Sequence, residues 1–265
     1  MSGDRPLLEV RGLHKVFGGL RAVNDVSFGV SNGAIKAIIG PNGAGKTTLL
    51  NLVTRLDAPT AGEVWLDGTR IDRLPPHRIV RLGVARTFQN LRLFGEMSVL
   101  ENVMVGRHAR TRAGMAGALL RTGAARAEER AVLASAKALL EQVGLGELGY
   151  EPAASLPFGK QRLLEIARAL ASEPRLLLLD EPAAGLNARE AAELGGLIRR
   201  IGATGVTTLL VEHHMELVMD ISDEILVLNF GERLAEGAPD DIRSDPRVIQ
   251  AYLGDEATVA EYLRA

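Results

Sequence analysis

Cysteine is absent from the 265 residues, which excludes disulfides and thiolate metal sites. Lysine is scarce: it stands only at positions 15, 36, 46, 137 and 160 among 31 basic residues, a bias that reflects genome composition more than chemistry. A basic field is missing too. The net charge is −2, so general attraction to nucleic acid is not expected. No apolar run approaches the ~18 residues that would suggest a membrane-spanning helix. The opening Met-Ser-Gly-Asp-Arg-Pro lacks the apolar stretch of a secretory signal. These absences lead to the expectation of a soluble, cytoplasmic protein whose connection to any membrane runs through a partner. What is present is ordinary for a globular chain, with 46% apolar and 24% charged residues. The length suits one large α/β domain, or one with a smaller insert.

Against that background one segment stands out. Gly40-Pro41-Asn42-Gly43-Ala44-Gly45-Lys46-Thr47-Thr48 follows the apolar run 34–39 and precedes the helix-like run 48–53. Strand, glycine-rich loop and helix in that order are the context of a phosphate-binding loop with spacing GxxxxGK[ST]. Glycines let successive N–H groups turn inward on an anion, and the helix N-terminus adds roughly half a positive charge. Lys46 supplies a cation for β- and γ-phosphates, and the Thr47 hydroxyl is a ligand for Mg²⁺.

Short strands are predicted at 7–10, 26–30 and 62–68. From about 98 to 148 helical periodicity takes over. Val132, Leu133, Ala136, Leu139, Leu140 and Val143 fall on one helix face that ends near Gly144. The stretch 106–126 reads as a loosely held helix or an exposed connector. Afterwards helices at 161–171 and 188–201 alternate with strands at 175–180, 206–211 and 223–228. That alternation argues for a mostly parallel sheet.

Leu176-Leu177-Leu178-Leu179-Asp180-Glu181-Pro182 delivers two carboxylates to the C-terminal edge of such a sheet. Asp180 is placed to hold Mg²⁺, and Glu181 to orient and activate an attacking water. His213 ends another apolar strand and could hydrogen-bond the γ-phosphate; His214 competes with it, and His213 is preferred because it lies nearer the strand end.

In this order the motifs resemble those of the ATP-binding cassette (ABC) ATPases. Gln89 in Arg86-Thr87-Phe88-Gln89-Asn90 resembles the Q-loop glutamine. Leu156-Pro157-Phe158-Gly159-Lys160-Gln161-Arg162 sits where the family signature belongs, and Phe17 resembles the aromatic that stacks on adenine. Residues 83–94, 163–170, 181–187 and 248–254 narrow the resemblance to the branched-chain amino-acid importers. The resemblance implies a nucleotide-hydrolase fold: a mostly parallel RecA-like core sheet, an N-terminal antiparallel β-subdomain and a helical insert. The core is expected at 1–90 and 156–254, the insert at 91–155 and a tail at 255–265.

The implied cofactors are ATP and Mg²⁺. The implied nucleotide contacts are Phe17, Val23, residues 40–48, Gln89 and Asp180, with Thr47, Gln89 and Asp180 on the metal and Glu181, His213 and Gln89 in catalysis. Pro157, Phe158, Gly159 and Lys160 would close on the ATP of a second cassette. Further implied partners are two membrane permeases and, indirectly, a periplasmic binding protein, with no nucleic acid. The location would be peripheral, on the inner face of the cell membrane. The chain departs from the common Leu-Ser-Gly-Gly-Gln: Pro157 has neither a hydroxyl nor an N–H to offer, and Asn187 stands where Asp is usual. Self-pairing and pairing with a related cassette both remain open. So do other cargoes and, at longer odds, an ABC ATPase working on nucleic acid or ribosomes.

Overall fold

A computed structural model describes residues 5–110 and 123–252. Residues 111–122 of the connector and the tail 255–265 lie outside them. The chain forms two compact units, one from residues up to Arg86 and from Arg175 onward, the other from Thr87 to Pro174.

The first unit holds two sheets. An antiparallel sheet has the order β2-β1-β4-β5, with β1 Leu8–Phe17, β2 Leu20–Val30, β4 Ala61–Leu66 and β5 Thr69–Arg70. The second has the order β10-β9-β3-β8-β7-β6. Its strands β3 Ile35–Ile39, β6 Val84–Arg86, β7 Leu176–Asp180, β8 Thr207–Val211 and β9 Glu224–Asn229 run parallel, and β10 Glu232–Gly237 pairs antiparallel at the edge. Every residue of β3, β7 and β8 is buried, as continuous apolar runs require in strands covered on both faces. Helix α1, Lys46–Val53, contributes Leu49, Leu50, Leu52 and Val53 to one apolar cluster. That cluster also takes in Leu8, Val10 and Val64 of the first sheet and Ile38, Leu178 and Leu209 of the second. The helix that follows the phosphate loop is therefore fixed by both sheets.

The hairpin β1–β2 is longer than the predicted 7–10 and 26–30. Gly12 lies in a stretch of shifted register within β1, and pairing resumes beyond the irregularity. The edge strand β10 was not expected, because Glu232, Arg233 and Glu236 break the apolar pattern on which strands are read.

The second unit is helical. The helix Gly123–Gln142 buries Val132, Ala136 and Leu140, the face expected from its periodicity, and Val143 just beyond it. The helix Phe158–Leu170 also belongs here, whereas the sequence pattern placed 156–174 with the core. Its buried partners are the reason: Arg162 and Glu165 bond the backbone at 88 and 89, within the same unit.

Candidate functional site

The strand order β3-β8-β7 brings three chain segments out at one sheet edge. Ile38 and Asp180 both register with Val211, so the phosphate loop, the Asp180–Glu181 pair and the Glu212–His213 segment leave the sheet at one level.

Backbone geometry decides the loop. Gly40 has φ +150°, and a Cβ there would lie 2.1 Å from the Leu228 carbonyl oxygen; Gly45 has φ +98°, and its Cβ would lie 2.3 Å from that of Ala22. Only glycine fits either position. Gly45 is also the N-cap of α1 and offers no side-chain acceptor, so the first amides of the helix keep their donors for another partner. Lys46 is buried, and its Nζ donates to the carbonyls of Gly40 at 2.6 Å and Pro41 at 3.1 Å. Burial pushes its pKa below the usual lysine value, while the charges of Glu181 and Asp180 pull it back up.

Asp180 is held from below. Its Oδ2 accepts from Arg86 at 2.8 Å, both side chains being buried. Arg86 also donates to Asn51 Oδ1 at 2.8 Å and Thr54 Oγ1 at 3.1 Å, tying β6 and β7 to α1. Asp180 Oδ1 is buried with no hydrogen-bond partner among the described residues. Such an orphaned carboxylate oxygen costs free energy unless a cation or water meets it, so the donor set fits a hard divalent ion. No group of three His, Asp or Glu among the described residues could hold a metal unaided. A site built from one hydroxyl, one carboxylate and substrate phosphates needs no such group.

Glu181 sits at φ +48°, a left-handed conformation held by its N–H bond to the Val211 carbonyl at 2.8 Å. Its carboxylate lies 3.9 Å from His213 Nδ1. That is beyond a direct hydrogen bond and within reach of one that tightens on ligand binding. His214 is engaged elsewhere. Its Nδ1 accepts from Leu217 N at 3.3 Å and caps the helix Met215–Ile221. This favours His213 as the histidine facing Glu181. Glu212, fully buried, accepts from the N–H groups of Ala183, His213 and His214 at 2.7, 2.9 and 3.2 Å. One carboxylate thus fixes the backbone on both sides of the Glu181–His213 pair.

A cavity of about 620 Å³ opens over the phosphate loop and Glu181, lined by Phe17, residues 20–22, residues 42–48, Glu181 and Phe230. Val23 is a correction: it is 1% exposed and packs in the apolar core, while residues 20–22 before it line the cavity.

Gln89 and the segment 157–160 lie in the helical unit. Pro157 is the N-cap of Phe158–Leu170 and makes no side-chain cap bond. Arg162 donates to the carbonyls of Phe88 at 2.9 Å and Gln89 at 2.5 Å, Glu165 accepts from Phe88 N at 3.5 Å, and Arg168 bonds the Arg92 carbonyl. Burial raises the pKa of Glu165 against the pull of Arg162 and lowers that of Arg168 against the pull of Glu165. Asn187 caps the helix Ala188–Ala203 in a reciprocal box with Glu190.

Sequence reasoning missed Arg86, Glu212 and the Arg162–Glu165–Arg168 set. The available signal was a charged residue within or at the end of an apolar strand, or at i, i+3 and i+6 on a helix otherwise reading as core.

The fold and site define a nucleotide-binding ATPase, and the comparisons name its class. Residues 23–184 match the ABC transporter family model. The chain belongs to that family, as one of its ATP-binding cassettes. A second model, described as branched-chain amino acid ATP-binding cassette transporter, matches residues 232–258. The chain is 49% identical over 253 residues to the high-affinity branched-chain amino acid transport ATP-binding protein BraF of Pseudomonas aeruginosa, covering 95% of this chain and 99% of that one. It is 47% identical to LivG of Escherichia coli, which bears the same description, with the same coverage. Among solved structures, an ATP-binding cassette of an ABC transporter in its ADP conformation superposes with a TM-score of 0.82 at 32% identity, over 94% of this chain and 99% of that chain.

Proposed function

We propose that this chain is the ATP-hydrolysing subunit of an importer for branched-chain amino acids, acting as one of two paired cassettes on the inner face of the membrane beside two permeases supplied by a periplasmic binding protein. The carrying observation is the convergence of the phosphate loop, Asp180, Glu181 and His213 at one sheet edge, with Lys46 and Glu181 lining a cavity there. The cargo reading is supported by the match at 232–258 and by BraF and LivG. The peripheral placement rests on a partner, because no described helix is long and apolar enough to cross a membrane.

In this reading residues 43–48 turn their amides onto the phosphates, and Lys46 leaves its loop carbonyls to meet the γ-phosphate. Thr47 and Asp180 would hold Mg²⁺, which would supply positive charge to the β- and γ-phosphate oxygens. Glu181 takes the proton of a water whose oxygen bonds to the γ-phosphorus as the bond to ADP breaks, and His213 orients that water. Pro157 to Lys160 present the start of their helix to ATP on the paired chain, with Gly159 and the Lys160 charge standing in for the missing serine hydroxyl.

The test is Glu181→Gln. General-base loss costs roughly 10²–10⁴-fold. Hydrolysis should fall by at least about a hundredfold, and light scattering should show an ATP-dependent pairing that no longer decays. Hydrolysis at the wild-type rate removes Glu181 as the base. The cargo is tested in vesicles with the permeases and binding protein, where Lys46→Ala should abolish ATP-driven leucine uptake; uptake that persists refutes the coupling.

A further inference from the structure

The turn between β9 and β10 carries a residue its own geometry disfavours. Asn229 pairs with Glu232, leaving Phe230 and Gly231 as a two-residue turn with φ +47° and +81°. Positive φ at both central positions marks the hairpin turn in which Asn-Gly is preferred, and a bulky aromatic at the first position is an outlier. Burial offers no compensation, since Phe230 is 86% exposed. The backbone beneath it is nevertheless fixed. Gly231 N donates to the Ala44 carbonyl at 3.1 Å, Asn24 N donates to the Gly231 carbonyl at 2.8 Å, and a Cβ on Gly231 would lie 2.9 Å from the Ala22 oxygen. The turn is clamped between the phosphate loop and β2, which holds the Phe230 ring on the wall of the nucleotide cavity.

The cavity's other aromatic, Phe17, is 45% exposed and carries Lys15 Nζ 4.5 Å from its ring centroid. With that cation over one face, Phe17 has a single face to offer a base. We propose that Phe230 is the second aromatic contact for the purine of the bound nucleotide and a determinant of base affinity, which accounts for a strained, exposed ring at this position. The inference rests on the nucleotide reading above.

The test measures binding of ATP and of inorganic tripolyphosphate to the full chain by calorimetry, for wild type, Phe230→Asn and Phe230→Trp. Asparagine suits the left-handed turn and removes the ring; tryptophan keeps a π-face. A modest stack corresponds to about a fivefold change in affinity. Phe230→Asn should weaken ATP by about that factor, leave tripolyphosphate unchanged and melt no lower than wild type. Phe230→Trp should stay within about twofold for ATP. Unchanged ATP affinity in Phe230→Asn overturns the proposal. So does an equal loss for both ligands, which would mean that the turn acts through the phosphate loop. Equal wild-type affinity for ATP and tripolyphosphate also refutes it while leaving the phosphate site standing. A wild-type chain that binds neither ligand refutes the nucleotide reading itself.

Discussion

Replacing Arg86 by methionine removes the guanidinium and keeps most of the side-chain volume. In the wild type that group makes a 2.8 Å bond to Asp180 with both partners almost fully enclosed. Breaking a buried ion pair by removing one partner costs roughly 3–5 kcal/mol, chiefly because the other charge stays behind. Two features place this case near the lower end. The Lys46 ammonium still acts on Asp180, and Thr54 Oγ1 keeps its own bond to the Leu50 carbonyl at 2.8 Å. Asn51 keeps its bond to Asp57 and loses only the guanidinium at its oxygen. A loss of about 3 kcal/mol follows, or roughly 6–12 °C in melting temperature for a chain of this size. Chemical denaturation of Arg86→Met, Asp180→Asn and the double variant completes the cycle. Neutralising Asp180 in the Arg86→Met background should return at least about 2 kcal/mol, since no unpaired charge then remains. On the proposed Mg²⁺ role of Asp180, the deficit should also shrink in saturating Mg·ATP. A single-variant loss below about 1 kcal/mol, or a double variant no more stable than Arg86→Met, refutes the argument.

Further outcomes follow from neighbouring groups. Glu212→Gln turns one acceptor oxygen into a donor facing backbone N–H groups, so unfolding free energy should fall by about 2 kcal/mol or more and turnover should drop with ATP affinity kept; unaltered denaturation curves count against its anchoring role. Lys46 binds its proton less tightly in the free protein than the ordinary 10.5, and bound phosphates should raise its pKa again. Between those two values ATP binding takes up a proton, so affinity declines as pH rises through that window; calorimetry in buffers of different ionisation enthalpy should show the uptake, and Lys46→Met should lack it. Pro157→Ser gains a helix cap and loses the stiffness of proline, two effects of about 1 kcal/mol or less that offset each other. Its melting temperature should move by under ~3 °C and single-chain ATP affinity should hold while pairing-dependent turnover changes; a large loss of single-chain affinity contradicts that division.

The parts of the site legible in the sequence are those that local spacing encodes. Residues 40–48 lie close together in the chain, and Asp180 and Glu181 follow a short apolar run that folds as a buried strand. Arg86 and Glu212 were opaque because their meaning lies in partners 94 and 29 residues away. Val23 failed for a local reason: nothing in the sequence separates Ala22, at the cavity, from Val23, in the core, and the irregular pairing of β1 with β2 hides where the strand turns inward. For His213 and His214 the sequence holds no sign that 214 caps a helix, the contact that leaves His213 as the nearer of the two to Glu181. For the helix Phe158–Leu170, sequence order suggested membership of the core, and the buried charges decided otherwise.

Those charges tie together two segments of the helical unit. Arg162, Glu165 and Arg168 lie on one face of a single helix and grip the main chain at 88, 89 and 92. The segment carrying Gln89 and the helix that begins at Phe158 are therefore joined by hydrogen bonds from buried charged side chains. A displacement at Gln89 should therefore be felt at Phe158, whose helix carries the groups that bind its backbone.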